Sequence, residues 1–158
     1  MIKVGDKIPS VTVRQVSESG VQEVKTDDFF RGKRVALFAV PGAFTSTCSA
    51  KHLPSYLNNA DALRKKGVDV IACTAVNDAA VIRAWGQAHK ADAVTMLSDG
   101  NGEFARSLGL DADMSKHGMG HRSRRYSMLV EDGVVKQLNV EEPGAFGVSG
   151  GDHMLSQV

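Results

Sequence analysis

Residues Arg34–Val40 (RVALFAV) run apolar without interruption once past Arg34, and Pro41-Gly42 closes the run. A stretch of this kind has no polar alternation and therefore no solvent side, so it reads as a central strand buried on both faces of a sheet. Val68–Thr74 repeats the pattern as a second buried strand. Between them, Cys48–Lys66 mixes apolar and polar residues at helical spacing and stops before Gly67, a good helix terminator. Leu53, Leu57 and Leu63 fall along one stripe of that helix, with Pro54 as an expected kink.

Strands and helices alternate along the remainder. Val11–Val16 and Val21–Lys25 suit a hairpin around Ser19-Gly20, followed by a turn or a single helical turn over Asp27–Gly32. Asn77-Asp78 caps a helix reaching Ala88, Val94–Leu97 makes a third buried strand, and Asp99-Gly100-Asn101 opens a helix ending near Leu108-Gly109. Tyr126–Val130 and Val134–Val140 flank the turn Glu131-Asp132-Gly133 as a hairpin, and a terminal helix begins near Ser149–Asp152. The resulting order, β-β-β-α-β-α-β-α-β-β-α, implies an α/β fold: a mixed β-sheet flanked by helices, with an added N-terminal β-hairpin.

At 158 residues the chain supports one sizeable core, with no repeat or linker to divide it. Nineteen Lys+Arg balance eighteen Asp+Glu, so charge offers no case for nucleic acid or for membrane lipid. Arg122, Arg124 and Arg125 form a cluster too short to alter that. The N-terminus lacks a secretory pattern and no apolar run reaches membrane-spanning length, so a soluble, cytoplasmic protein is the expectation. The two cysteines, Cys48 and Cys73, make no disulfide framework and are expected as thiols. Neither belongs to a CxxC pair and the histidines are scattered, so no metal site and no cofactor are expected.

The chemistry concentrates in Pro41-Gly42-Ala43-Phe44-Thr45-Ser46-Thr47-Cys48. A buried strand delivers the chain to a loop, and Cys48 falls in the first turn of the following helix. Free N–H groups and the positive end of the helix dipole favour a thiolate there. Thr45, three residues earlier, can present its hydroxyl to the sulfur or to an incoming ligand. His52 lies four residues after Cys48 on the same helical face, either tuning the sulfur or serving as a partly buried polar or interface residue. Trp85 and Phe44 read as core or interface aromatics, and Cys73, inside an apolar strand, as a small buried hydrophobe.

Pro-x-x-x-Thr-x-x-Cys after a buried strand resembles the motif of the peroxiredoxins. PGAFTSTCSAKHLPSY is similar to the atypical class called type II in plants and type V in animals. AVNDAAVIRAWGQAHKAD and RSRRYSMLVEDGVVKQLNVEEPG match the same class in register, so the likeness spans nearly the whole chain. The resemblance implies one thioredoxin-like domain over residues 1–158 that reduces hydrogen peroxide and organic hydroperoxides, and a homodimer. It implies Cys48 as the peroxidatic nucleophile that becomes a sulfenic acid. It further implies Thr45 as hydrogen-bonding the bound peroxide, Pro41 as covering the sulfur, and Arg125, just before Tyr126, as completing the site. Phe44 and Trp85 would help shape its surroundings.

Ionisation alone cannot make such a cysteine fast. A thiol whose pKa falls from about 8.5 to about 6 gains roughly 30-fold in thiolate at neutral pH. A Brønsted slope near 0.45 then takes back roughly 13-fold through weaker nucleophilicity. The larger contribution must come from donors aimed at the departing oxygen: the Thr45 hydroxyl, the Arg125 guanidinium and loop N–H groups near Cys48. A Cys-His hydrolase using His52, His117 or His121 leaves Thr45 and the arginine strand unexplained. A thioredoxin-fold redox sensor or binding module with slow turnover is the non-enzymatic alternative. Some relatives in this class carry a resolving cysteine near the C-terminus, but Gly147–Gly151 contains none. A one-cysteine route recycled by an external thiol, glutathione with glutaredoxin or thioredoxin, is therefore expected.

Overall fold

The computed structural model describes all 158 residues. Seven strands form one sheet: β1 (Thr12–Ser17), β2 (Gly20–Lys25), β3 (Arg34–Ala39), β4 (Val70–Ala75), β5 (Thr95–Ser98), β8 (Tyr126–Glu131) and β9 (Val134–Val140). Their order across the sheet is β2-β1-β5-β4-β3-β8-β9. The centre, β5-β4-β3, is parallel, while the β1-β2 hairpin and β8-β9 join antiparallel at either side. β3 is thus the strand flanked by β4 and β8, and its alternation divides the core. Ala36, Phe38 and Val40 pack on one face with residues of α2 (Leu53–Lys65), α3 (Ala79–Ala88) and α5 (Gly151–Gln157). Val35, Leu37 and Ala39 pack on the other with residues of α1 (Thr26–Phe30) and α4 (Glu103–Leu108). Both faces are covered, which is why the strand tolerates no polar position.

Local signals hold where the physics is local. The Asp78 carboxylate caps α3 by accepting from the Val81 N–H at 2.9 Å. Gly67, at φ +96°, turns the chain out of α2 in a conformation that L side chains rarely adopt.

The structure departs from expectation at two places. The helix expected over Cys48–Lys66 opens with a π-turn, Cys48–His52, in which the Leu53 N–H reaches the Cys48 carbonyl five residues back. Pro54 follows directly on the π-turn, so its missing N–H falls where the helical hydrogen-bond ladder already departs from regular spacing. An unexpected small hairpin, β6 (Asp111–Asp113) with β7 (His121–Ser123), stands apart from the main sheet. Its three-residue strands are too short to carry a readable alternation. The terminal helix starts within the expected stretch, with Gly150 as N-cap and α5 running from Gly151.

Candidate active site

β3 delivers the chain to the loop Pro41–Thr47, which bonds pin from both sides. The Ala43 N–H donates to Asn77 Oδ1 at 2.9 Å, and the Thr45 hydroxyl donates to the Gly42 carbonyl at 2.6 Å. Arg122 reaches from β7 to the Val76 carbonyl at 3.2 Å, placing the β6-β7 hairpin beside the loop. The tight path leaves Phe44 at φ +65° and 54% exposed, so it is no core aromatic. After the loop, the N–H groups of Thr47 and Cys48 have no protein acceptor, as expected for the first turn of a helix.

Cys48 is fully buried, and Arg125 meets it. One terminal nitrogen of the guanidinium donates to Cys48 Sγ at 3.2 Å, and the other meets His52 Nδ1 at 2.8 Å. The π-turn that begins at Cys48 ends at His52, so both side chains face one planar fork. A guanidinium only donates, so Nδ1 must accept and the ring proton sits on Nε2. His52 Nε2 then donates to the Ser149 carbonyl at 3.0 Å. Burial first, and the Arg125 charge second, hold the imidazole neutral, with its pKa pushed down to about 3. Phe38, Tyr56 and Phe146 surround the ring at centroid distances of 4.8, 5.8 and 5.1 Å.

The polar network continues beyond the histidine. The Tyr56 hydroxyl also donates to the Ser149 carbonyl, at 2.9 Å. The Ser149 N–H and hydroxyl donate to Glu141 Oε2 at 2.8 and 2.7 Å, and the Gly147 and Val148 N–H groups join them at 2.8 and 2.9 Å. Burial alone would raise the Glu141 pKa. These donors outweigh it and hold the carboxyl below its usual range.

A cavity of about 450 Å³ opens beside this cluster, lined by Pro41, Thr45, Thr47, Arg124, Arg125 and the Glu141–Ala145 segment among others. The four residues expected at the site are therefore gathered: Pro41, Thr45 and Arg125 at the cavity, with Cys48 under the guanidinium. The neighbouring arginines have other partners, Arg122 at the Met119 and Val76 carbonyls and Arg124 at the Glu141 carbonyl. Trp85 is buried and donates its indole N–H to Ser49 Oγ at 2.9 Å, bracing the π-turn. Thr45 differs from expectation in one respect: its only hydroxyl proton is engaged by Gly42, so it presents lone pairs, not a donor, to an incoming molecule. Sequence reasoning missed Glu141, Ser149 and Tyr56. Their pattern is ordinary, and only the 93–97 positions separating Ser149 from Tyr56 and His52 explain why no local signal exposed them.

The arrangement sets the Arg125 guanidinium, with N–H groups to spare, on one sulfur at the start of a helix whose Thr47 and Cys48 N–H groups are free. Such a site stabilises negative charge developing on an oxygen that departs from an atom bonded to that sulfur. Comparison with known proteins agrees with this chemistry. The Redoxin family profile matches residues 3–154. Peroxiredoxin-2E, chloroplastic, of Arabidopsis thaliana is 50% identical over 159 residues, covering 98% of this chain and 68% of its own. Peroxiredoxin-2B of the same plant is 43% identical over 156 residues, covering 98% and 96%. The crystal structure of reduced Prx3 in complex with hydrogen peroxide from Vibrio vulnificus superposes with a TM-score of 0.96 at 46% identity, over 99% of each chain. The fold is thioredoxin-like, and the chain belongs to the redoxin family as a peroxiredoxin, a thiol-dependent peroxidase.

Proposed function

We propose that Cys48 is the peroxidatic residue and that the chain works as a one-cysteine enzyme of the type II / type V class. The Cys48 sulfur attacks one peroxide oxygen, an S–O bond forms and the O–O bond breaks. The sulfur loses two electrons and becomes a sulfenic acid, while the departing oxygen takes a proton and leaves as water or an alcohol. The carrying observation is the Arg125 fork between Cys48 Sγ and His52 Nδ1, which leaves further N–H groups on the same guanidinium for the departing oxygen. Thr45 accepts a hydrogen bond from the peroxide O–H, since its own proton is held by Gly42. Pro41 walls the cavity and limits solvent access to the sulfur.

Recycling is assigned to an external thiol, glutathione with glutaredoxin or else thioredoxin, which attacks the sulfenic sulfur, expels water and leaves a mixed disulfide. Cys73 supports this by its position. It lies in β4, paired with Phe38 and almost wholly buried. Burial first, and any charge on Cys48 second, push its thiol well up, so it stays protonated and a poor nucleophile. A homodimer is part of the same proposal, carried by the family likeness.

The test is stoichiometric oxidation. One equivalent of peroxide followed by a dimedone-type probe is expected to label Cys48, and Cys48→Ser to abolish peroxide consumption. Labelling of Cys73 with activity retained in Cys48→Ser would overturn the assignment. Parallel turnover with each reductant system identifies the recycling thiol.

A further inference from the structure

Glu141 lies at the end of β9, far from the sulfur in sequence, and is 5% exposed. A buried carboxylate on a loop is costly unless its oxygens are satisfied, and here four donors from three consecutive residues converge on it: the Gly147, Val148 and Ser149 N–H groups and the Ser149 hydroxyl. The side chain makes no ion pair, and its direct hydrogen-bonding partners all lie in this turn.

The held turn has one functional consequence. With its N–H and hydroxyl fixed on Glu141, the Ser149 peptide aims its carbonyl at His52 Nε2 (3.0 Å) and the Tyr56 hydroxyl (2.9 Å). That carbonyl can only accept, so it selects the Nε2–H tautomer of His52 and leaves Nδ1 as an acceptor. Only that tautomer can take the Arg125 N–H at 2.8 Å. With the other tautomer two donors would face each other, and the guanidinium would have to swing off its line to Cys48 Sγ.

We propose that Glu141 is a positioning residue for peroxide reduction, aiming the Arg125 guanidinium at Cys48 through the Ser149 carbonyl and the His52 tautomer. The proposal rests on the reading of Cys48 and Arg125 given above. The substitution Glu141→Gln keeps size and polarity but removes the charge that strengthens the four bonds to Oε2 and sets an NH₂ group against the second contact of the Gly147 N–H, so the latch loosens. The second-order rate of Cys48 oxidation by hydrogen peroxide, followed by stopped-flow, is expected to fall about 10-fold.

Two readouts separate positioning from general support. In a double-mutant cycle with Arg125→Lys, the Glu141→Gln loss should largely vanish, because the fork it aims is already gone. ¹⁵N NMR of the imidazole should show the Nε2–H tautomer in the wild type and a mixture in Glu141→Gln. Losses that multiply in the double variant, or an unchanged tautomer, overturn the proposal. So does an unchanged oxidation rate, whether or not amide exchange at residues 147–149 has sped up. Should Glu141→Gln fail to fold, Ser149→Ala removes one of the four donors while keeping the carbonyl, and the same cycle with a smaller loss is expected. If Arg125→Lys itself leaves oxidation unchanged, the reading of Arg125 fails, and that outcome is distinct from a failure of Glu141 alone.

Discussion

Arg125 and His52 meet nitrogen to nitrogen at 2.8 Å, and this contact leaves the second arm of the guanidinium on Cys48 Sγ at 3.2 Å. The pair works only because one partner is permanently a donor and the other is held as an acceptor. A lysine at position 125 carries the charge but cannot span both atoms. Arg125→Lys is expected to slow peroxide attack by about 10²-fold in stopped-flow, whereas Arg124→Lys, whose side chain meets only the Glu141 carbonyl, stays within about threefold. Equal losses in the two variants would show that Arg125 is not the arginine that matters.

Thr45 supplies lone pairs from a hydroxyl whose proton is engaged by Gly42. Thr45→Val preserves shape and removes both functions, with an expected loss of about 10²-fold in the oxidation rate. Thr45→Ser should recover most of that. A serine variant as slow as the valine variant would shift the explanation to methyl packing in the loop.

His52 links function to stability through pH. Its folded pKa of about 3 lies below the unfolded value near 6.5, so the unfolded chain binds the extra proton between those limits. The contribution is fully present above pH 6.5 and is lost progressively as the pH falls toward 3, at up to about 1.4 kcal/mol per pH unit. Asp99, whose carboxyl is raised by burial, acts in the opposite direction in the acid range. Urea midpoints measured from pH 7 to pH 5 should fall in the wild type. In His52→Gln, which has no proton to gain, they should fall less steeply; parallel slopes would remove His52 as the cause.

Cys73→Ser should keep most of the turnover with an external thiol, because its side chain is buried in the helix-covered core it shares with Cys48 and does not line the cavity. Placing a hydroxyl there costs about 1–3 kcal/mol of stability. A stoichiometric Cys48–Cys73 disulfide by intact mass, together with lost turnover in the variant, would require a resolving role for Cys73.

Gly151 permits the close seating of α5 on α2. A Cβ there would land on the Ser55 carbonyl, whose carbon stands 2.7 Å away. Gly151→Ala should therefore lower stability by about 2 kcal/mol, net of the helix propensity it gains. It should also slow peroxide attack through displacement of the adjoining Ser149 turn. A variant destabilised yet catalytically unchanged would separate α5 from the site.

The sequence by itself determined whatever rests on neighbours a few residues apart. The unbroken run Val35–Val40 could only be a strand covered on both faces, Asp78 could only cap the helix it precedes, and the Pro41–Cys48 stretch announced both the loop and the sulfur at its end. The family likeness then singled out Arg125 among three arginines, and that side chain is the one that meets Cys48 Sγ. Only the tertiary structure decided what joins distant segments. Arg125 meets Cys48 across 77 positions and His52 across 73, and Ser149 meets His52 across 97. No periodicity or composition encodes such meetings, because they depend on β3 and β8 lying side by side and on α5 packing against α2. The π-turn, the left-handed Phe44 and the buried Glu141 belong to the same class. Each departs from a local preference, and each is held by partners that only the folded sheet brings within reach.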